Sequence, residues 1–379
     1  MADLHGSVFD ALDGAVGVAY PGCVALVRDA GAEVYHEAHG VLADWPRSAA
    51  CGRPVTRSTI YDLASLTKPL ATTTLAAIAL SAGRLRLDDA PPQDLVPQLA
   101  GATLGHLLCH ASGLPAHVPF YVEAAGVEPG VVWRGLRATA PVASPGTKVL
   151  YSDLGFMVLG AWLERVFDAS LGTAFEDRVA APLGLHDPTT DRFVGYLPLG
   201  RPLDPSLRAR IAPTEHYAER PPDETVEPDY LGLRRAHGLE AWGEVHDDNA
   251  FVLGGVAGHA GLFGTAAGVA DLAAAWLDGL VVGLSTEIRD RLWAPCPVPE
   301  SAFRYGFDGP TAGGSTGGAL SADAVGHLGF TGTSLWIEPS RRRIYVLLSN
   351  RVHPHRRRGP EIAAVRQAFH RRAAGALDG

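Results

Sequence analysis

Apolar residues recur along this chain with two different periods, and the predicted element changes where the period changes. From Leu4 to Val16 they fall at roughly helical spacing, and GCVALVRD (22–29) and AEVYHEAHG (32–40) then read as two strands around the turn Ala30-Gly31. From Ser65 to about Ala82 the spacing is helical again, with Leu70, Thr74, Leu75, Ile78 and Ala79 on one stripe and Gly83 at its end. Further helices are predicted over 103–110, 130–139, 154–168, 171–181, 266–282 and 285–293, which makes the middle of the chain mainly helical. Short β-type runs follow at 324–330, 334–339 and 343–350, and Pro360-Glu361 opens a last helix to about Ala374. Strands at both ends with helices between them predict an α/β fold in which both termini build one sheet.

One segment breaks the pattern. Residues 198–246 hold Pro198, Pro202, Pro205, Pro213, Pro221, Pro222 and Pro228 with little periodicity, and irregular stretches of this length are usually functional covers or insertions. The most apolar later run, 270–284, is interrupted by Asp278 and too short to span a bilayer. The first residues carry acids where a secretory leader needs bases, so a cytoplasmic protein without a membrane partner is expected.

Composition narrows the class. With 379 residues, 47% hydrophobic and 19% charged, the chain is globular and long enough for two domains or one elaborate one. A formal charge of −9 argues against nucleic acid as a partner. The charge is uneven: from Ser340 to Gly379 ten arginines face only Glu361 and Asp378, which reads as a solvated helix face and loop. Cys23, Cys51, Cys109 and Cys296 have no paired metal-ligand spacing and are expected as reduced, mostly buried thiols.

The 32 basic residues include only two lysines, Lys68 and Lys148. Lys68 lies in ASLTKP, one helical turn after Ser65, so its amine reaches the serine hydroxyl if Ser65 opens the helix. A serine must lose its proton to a base as it attacks, and a guanidinium stays charged in proteins. A lysine whose pKa is depressed by burial can take that proton, which is the expected reason for lysine at 68. Taken alone, S-x-x-K is a weak motif that favours an N-cap followed by a surface lysine.

Its neighbours are more specific. DLASLTKPLATTTLAAIALSAGRLRLDD (62–89), LLCHASGLP (107–115), YSDLGFMVLGAWLE (151–164), APLGL (181–185), GHAGLFGTAAGVADLAAAW (258–276) and GHLGFTGTSLWIEP (326–339) occur in this order. Together they resemble the serine β-lactamase and penicillin-binding-protein-like superfamily, in particular its class C and family VIII esterase-like branch. The resemblance implies an antiparallel sheet flanked by helices, built from 1–63 and 262–379, and a mainly helical domain over 64–261. It implies Ser65 as the acylated nucleophile, Lys68 as its partner, and Tyr151 as base or relay. It also places His327-Leu328-Gly329 where the family has K-T-G, with Gly329 leaving room for substrate, and forms an oxyanion hole from the N–H groups of Ser65 and Phe330.

Two departures steer the expected substrate. Asp153 stands where the family has asparagine, and His327 where it has the lysine that helps hold a carboxylate. Both are expected at the substrate, and both weaken the case for efficient β-lactam hydrolysis. In GEVHDDNAFVLGGVAGHAGLF (243–263), the histidines and aspartates match no usual metal spacing, so neither metal nor cofactor is expected. The segment resembles one in a serine-hydrolase subgroup, and His246 and Asn249 are placed at the cleft wall, with loop bracing as the alternative. His110 reads as structural. The combined expectation is a serine hydrolase acting on a small ester or amide through an acyl-enzyme, most simply a carboxylesterase. The alternatives are a β-lactamase or D-alanyl peptidase, and an acyltransferase or amidase.

Overall fold

The computed structural model describes residues 4–220, 228–299 and 301–379. Among the described residues there are eight strands: β1 Gly22–Asp29, β2 Ala32–Gly40, β3 Tyr61–Asp62, β4 Val194–Tyr196, β5 Leu262–Gly264, β6 Val325–Leu328, β7 Ser334–Glu338 and β8 Arg343–Ser349. Five of them form an antiparallel sheet in the order β2-β1-β8-β7-β6, so strands from both ends of the chain share it. β1 and β8 pair from Cys23 with Ser349 to Asp29 with Arg343, and that register puts each strand's alternate residues on opposite faces.

Each face has its own core. Cys23, Ala25, Val27, Tyr345 and Leu347 pack with Val8, Leu12, Ile362, Phe369 and Ala373, from the helices Leu4–Asp13 and Gly359–Asp378. Val24, Leu26, Ile344, Val346 and Leu348 join the larger core with Leu272 and Trp276 of the helix Ala266–Asp278. Burial on both faces is why these strands read as nearly continuous apolar runs.

The helices Thr74–Ser81, Leu104–Leu108, Pro129–Ala138 and Asp153–Phe167 belong to the middle of the chain, as the periodicity predicts. A second sheet, in the order β3-β5-β4, has no sequence counterpart because its strands are two or three residues long. The irregular 198–246 segment contains the short helices Pro205–Arg208 and Pro228–His237. Pro221 and Pro222 lie outside the described residues.

Two expectations are corrected. Cys109 and Cys296 form a disulfide across 187 residues, because packing brings their Cα atoms to 6.0 Å. Only Cys23, buried, and Cys51, exposed, are thiols, so the cysteines no longer argue for a reducing compartment. The arginine-rich end is a solvated face only in part: Arg341, Arg342, Arg357, Arg371 and Arg372 are exposed, but several of its arginines are engaged in ion pairs. Arg343 pairs with Asp29 and Asp378, Arg342 with Asp278, Arg358 with Asp44, and Arg356 with Glu215 and Asp248. Among the described residues no helix is long and apolar enough to cross a membrane.

Candidate active site

Ser65 stands on a turn held from several sides. Ala64–Leu66 forms one 3-10 turn, Lys68–Thr73 continues as π-helix, and Thr74–Ser81 is α-helical. Pro69 has no N–H to give to the Ser65 carbonyl, so the α ladder cannot start there. Ala64 has a φ of 47°, a left-handed conformation that costs an alanine on the order of 1 kcal/mol. Asp62 offsets this strain. One of its carboxylate oxygens accepts the Ala64 N–H at 2.8 Å, and the other accepts the His246 N–H at 2.7 Å. Thr331 and Thr333 donate their hydroxyls to the Asp62 and Leu63 carbonyls at 2.7 and 3.1 Å. Burial pushes the Asp62 carboxyl up despite these donors. Sequence reading passed over Asp62 because a lone aspartate carries no spacing signal and its second partner, His246, is distant in the chain.

Lys68 is fully buried. Its Nζ donates to Ser65 Oγ at 2.9 Å, to Asp153 Oδ1 at 2.7 Å and to the His259 carbonyl at 3.3 Å. Burial by itself lowers the pKa of the ammonium, but Asp153 and then Tyr151 outweigh it, and the net value lies above the ordinary one. The expectation of a depressed lysine is therefore corrected: this amine is held charged, because position 153 carries a carboxylate. Burial acts to raise Asp153, yet the Lys68 charge, with His117 assisting, holds it far below the usual carboxylate range. Asp153 thus acts first on Lys68, although it also lines the cavity.

Tyr151 immediately precedes the helix Asp153–Phe167, whose N-cap Ser152 accepts the Gly155 N–H. The buried His110 ring accepts the Ser152 N–H at 3.0 Å and lies 4.6 Å from the Tyr151 ring, so it braces the phenol. The Lys68 ammonium sits 4.7 Å from the Tyr151 ring centre. Burial pushes the phenol up, while its interactions with Lys68 and Ser65 pull the other way; the balance lies above the ordinary tyrosine value. A protonated phenol in contact with both partners is the result.

Ser65, Tyr151, Asp153, His246, His327, Gly329 and Phe330 all line one cavity of about 610 Å³. The N–H groups of Ser65 and Phe330 donate to no acceptor among the described residues. His327 lies 5.8 Å from Tyr151, ring to ring. Burial and then the Lys68 charge push it down to about 3, so it is neutral at physiological pH, with Nδ1 2.8 Å from the Leu328 carbonyl. Gly329 serves the fold more directly than the ligand: a Cβ there would stand 1.9 Å from Thr333 Oγ1 and 2.6 Å from the Leu63 carbonyl. His246 stacks on Phe330 at 5.7 Å and contacts Glu215 at 3.2 Å.

Asn249 is corrected to a brace. It is fully buried and outside the cavity lining, accepting the Tyr121 N–H at 3.2 Å and donating to the Val118 carbonyl at 2.9 Å. His117, which sequence reading passed over, lines the cavity with Nδ1 3.7 Å from Asp153 Oδ2. Asp247, also on the wall, pairs with His259 at 2.8 Å; against burial, that contact holds it at about 2.

A buried lysine between a serine and a tyrosine, reached through an antiparallel sheet built from both termini, defines a class of serine hydrolase. The chain belongs to the beta-lactamase family, whose profile matches residues 10–369. It is 30% identical over 363 residues to a protein of Escherichia coli O157:H7 named "Putative D-alanyl-D-alanine carboxypeptidase", covering 89% of this chain and 80% of that protein. Among solved structures, the unliganded simvastatin synthase LovD of Aspergillus terreus shares the fold with a TM-score of 0.72 at 19% identity, over 99% of both chains. EstCE1, described as a hydrolase with promiscuous acyltransferase activity, superposes with a TM-score of 0.70 at 22% identity, over 96% of this chain and 98% of its own.

Proposed function

We propose that this serine hydrolase is a carboxylesterase that forms an acyl-enzyme on Ser65, in a cleft between a sheet domain (1–63 and 262–379) and a mainly helical one (64–261). The observation that carries the reading is the 2.9 Å contact from Lys68 Nζ to Ser65 Oγ, with the Tyr151 phenol against both. Because Lys68 is held charged and the phenol protonated, the balanced route is a shuttle. As Ser65 Oγ attacks the ester carbonyl, its proton passes to the Tyr151 oxygen, and the phenol's own proton passes to the leaving alcohol. The Lys68 charge stabilises the oxygen that is losing its proton. The N–H groups of Ser65 and Phe330 receive the carbonyl oxygen as it becomes negative, a contribution of about 3–4 kcal/mol for one oxyanion-hole donor in an unrelated serine hydrolase. Water then enters by the reverse path and releases the acid.

Asp153 and the neutral His327 favour an ester over a β-lactam, since neither offers the fixed amide donor and permanent charge that family β-lactams meet. Hydrolysis of a D-alanyl peptide is the second reading, favoured by the name of the E. coli relative. p-Nitrophenyl esters of graded chain length, assayed beside a chromogenic cephalosporin, separate these. Ester turnover with little cephalosporin cleavage is expected, and the reverse pattern overturns the esterase reading. Intact mass after a fluorophosphonate should show one adduct, lost in Ser65→Ala; an adduct that persists removes Ser65 as nucleophile.

A further inference from the structure

Tyr151 is held by one neighbour on both flanks. The His110 carbonyl accepts the Leu150 N–H at 2.9 Å, and the His110 ring accepts the Ser152 N–H through Nδ1 at 3.0 Å, so a single residue fixes the chain immediately before and after the phenol. Its ring also lies 4.6 Å from that of Tyr151. To make these contacts His110 takes a φ of 55°, a left-handed conformation that residues with side chains seldom adopt unless their surroundings impose it. Burial and then the Lys68 charge push its pKa well down, so the imidazole is neutral and Nδ1 stays an acceptor. A nitrogen engaged with the backbone in this way is not free to take the serine proton.

The residue before His110 is Cys109. Its disulfide partner, Cys296, donates its own N–H to the Phe303 carbonyl at 3.0 Å. The Phe303 ring then closes on both partners, 5.1 Å from the His110 ring and edge-on to it, and 6.2 Å from the Tyr151 ring. Cys109, His110, Tyr151, Phe303 and Cys296 thus form a closed circuit of contacts, and two of its members, Tyr151 and Phe303, line the cavity. The Gly306 N–H reaches the Leu108 carbonyl at 2.9 Å and ties the same two segments by a hydrogen bond; the disulfide turns that contact into a covalent cross-link.

We propose that His110 is a positioning residue for Tyr151 and that the Cys109–Cys296 disulfide holds it in that role, so the bond governs turnover as well as stability. The kinetic effect rests on the esterase reading, whose proton shuttle runs through Tyr151. A loosely held phenol spends less time in line between Ser65 Oγ and the leaving oxygen, which slows proton transfer and leaves substrate binding largely alone.

Reduction of the folded wild type is the first test. Dithiothreitol opens the bond to two thiols as it closes to its own cyclic disulfide, and a thiol count rising from two to four shows completion. At a temperature where the reduced protein is folded, kcat for p-nitrophenyl butyrate is expected to fall about tenfold with KM within about twofold, and Cys296→Ser should match it. Val8→Ala, in the core on the other face of the sheet, controls for lost stability: it should lower Tm and leave kcat in place. An equal fall of kcat in Val8→Ala, or one kcat for oxidised and reduced enzyme, overturns the proposal. His110→Ala should lower kcat further. His110→Asn keeps an acceptor near the place of Nδ1 and tolerates the left-handed backbone, so it should recover part of the loss. Combining His110→Ala with Cys296→Ser should cost much less than the product of the single losses, because both act through one chain of contacts; losses that multiply in full overturn the link.

Fluorine NMR with Tyr151 replaced by fluorotyrosine reads the phenol's surroundings without turnover. Its line should shift on reduction and in Cys296→Ser, and stay in place in Val8→Ala; a line unmoved by complete reduction overturns the proposal. Absence of ester turnover in the wild type, with the shift present, counts against the esterase reading and leaves the positioning role standing.

Discussion

Asp153 decides what kind of group Lys68 is. Burial is the largest influence on the amine and acts to neutralise it; the carboxylate at 2.7 Å reverses that outcome. In Asp153→Asn the reversal is removed, so the Lys68 pKa falls. A titration between about pH 6 and 9 should then appear in kcat/KM for p-nitrophenyl butyrate that the wild type lacks. Stability follows with a definite sign. The raised Lys68 contributes stability that is full below its unfolded pKa of about 10.4 and lost as pH rises through the folded value. The depressed Asp153 contributes above its unfolded pKa of about 3.9 and loses that contribution as pH falls through the folded value. The pair therefore supports the wild type evenly from about pH 4 to 10. The variant, with a depressed lysine, should be less stable at pH 6 by on the order of 3 kcal/mol and regain stability toward pH 9. Guanidinium unfolding at the two pH values checks this, and a pH-independent loss would show that Asp153 does not set the charge of Lys68.

At the scale of elements, the site depends on how closely the helix Asp153–Phe167 meets the segment around Gly258. A Cβ at Gly258 would stand 2.1 Å from the Phe156 carbonyl and 3.0 Å from Gly160 Cα. The same segment receives Thr72 at the Gly258 carbonyl, 2.6 Å, and Lys68 at the His259 carbonyl. Two facing glycines let the nucleophile's helix, the tyrosine's helix and this loop share one junction. Gly258→Ala is expected to cost about 1–3 kcal/mol through overpacking and to lower kcat more than it raises KM, because the strain falls on the Lys68 and Asp153 positions. Thermal unfolding and ester kinetics measure both; a stable variant with normal kcat would show that the crossing is not what positions them.

Across the whole molecule, the Cys109–Cys296 bond ties the end of the helix Leu104–Leu108 to the segment that carries Phe303, another cavity residue. Closing so long a loop should stabilise the fold by about 2–5 kcal/mol. Peptide mapping without reductant should recover the two cysteines linked, and Cys296→Ser should lower Tm together with dithiothreitol-treated wild type. Equal Tm values for oxidised, reduced and mutant protein would remove the bond as a stabilising element. The arginines of the last forty residues act at the same scale, since they tie the last strand and the loop before the C-terminal helix to Asp29, Asp44, Glu215 and Asp278, far away in the chain.

Local signals were enough for the elements and for part of the site. The β-type runs at 22–29 and 32–40 became β1 and β2 with those bounds, and helical spacing located Asp153–Phe167 and Ala266–Asp278 to within a few residues. Three-residue spacing on one turn put Lys68 beside Ser65, because helical geometry is a local property of the chain. The charge of Lys68, the bracing role of Asn249, the positioning carboxylate of Asp62 and the pairing of Cys109 with Cys296 could not be read in that way. Each depends on a partner more than eighty residues distant, and a pKa, an ion pair or a disulfide is set by what packing brings within a few ångströms. Periodicity along a chain carries no information about that neighbour, so only the tertiary structure decided it.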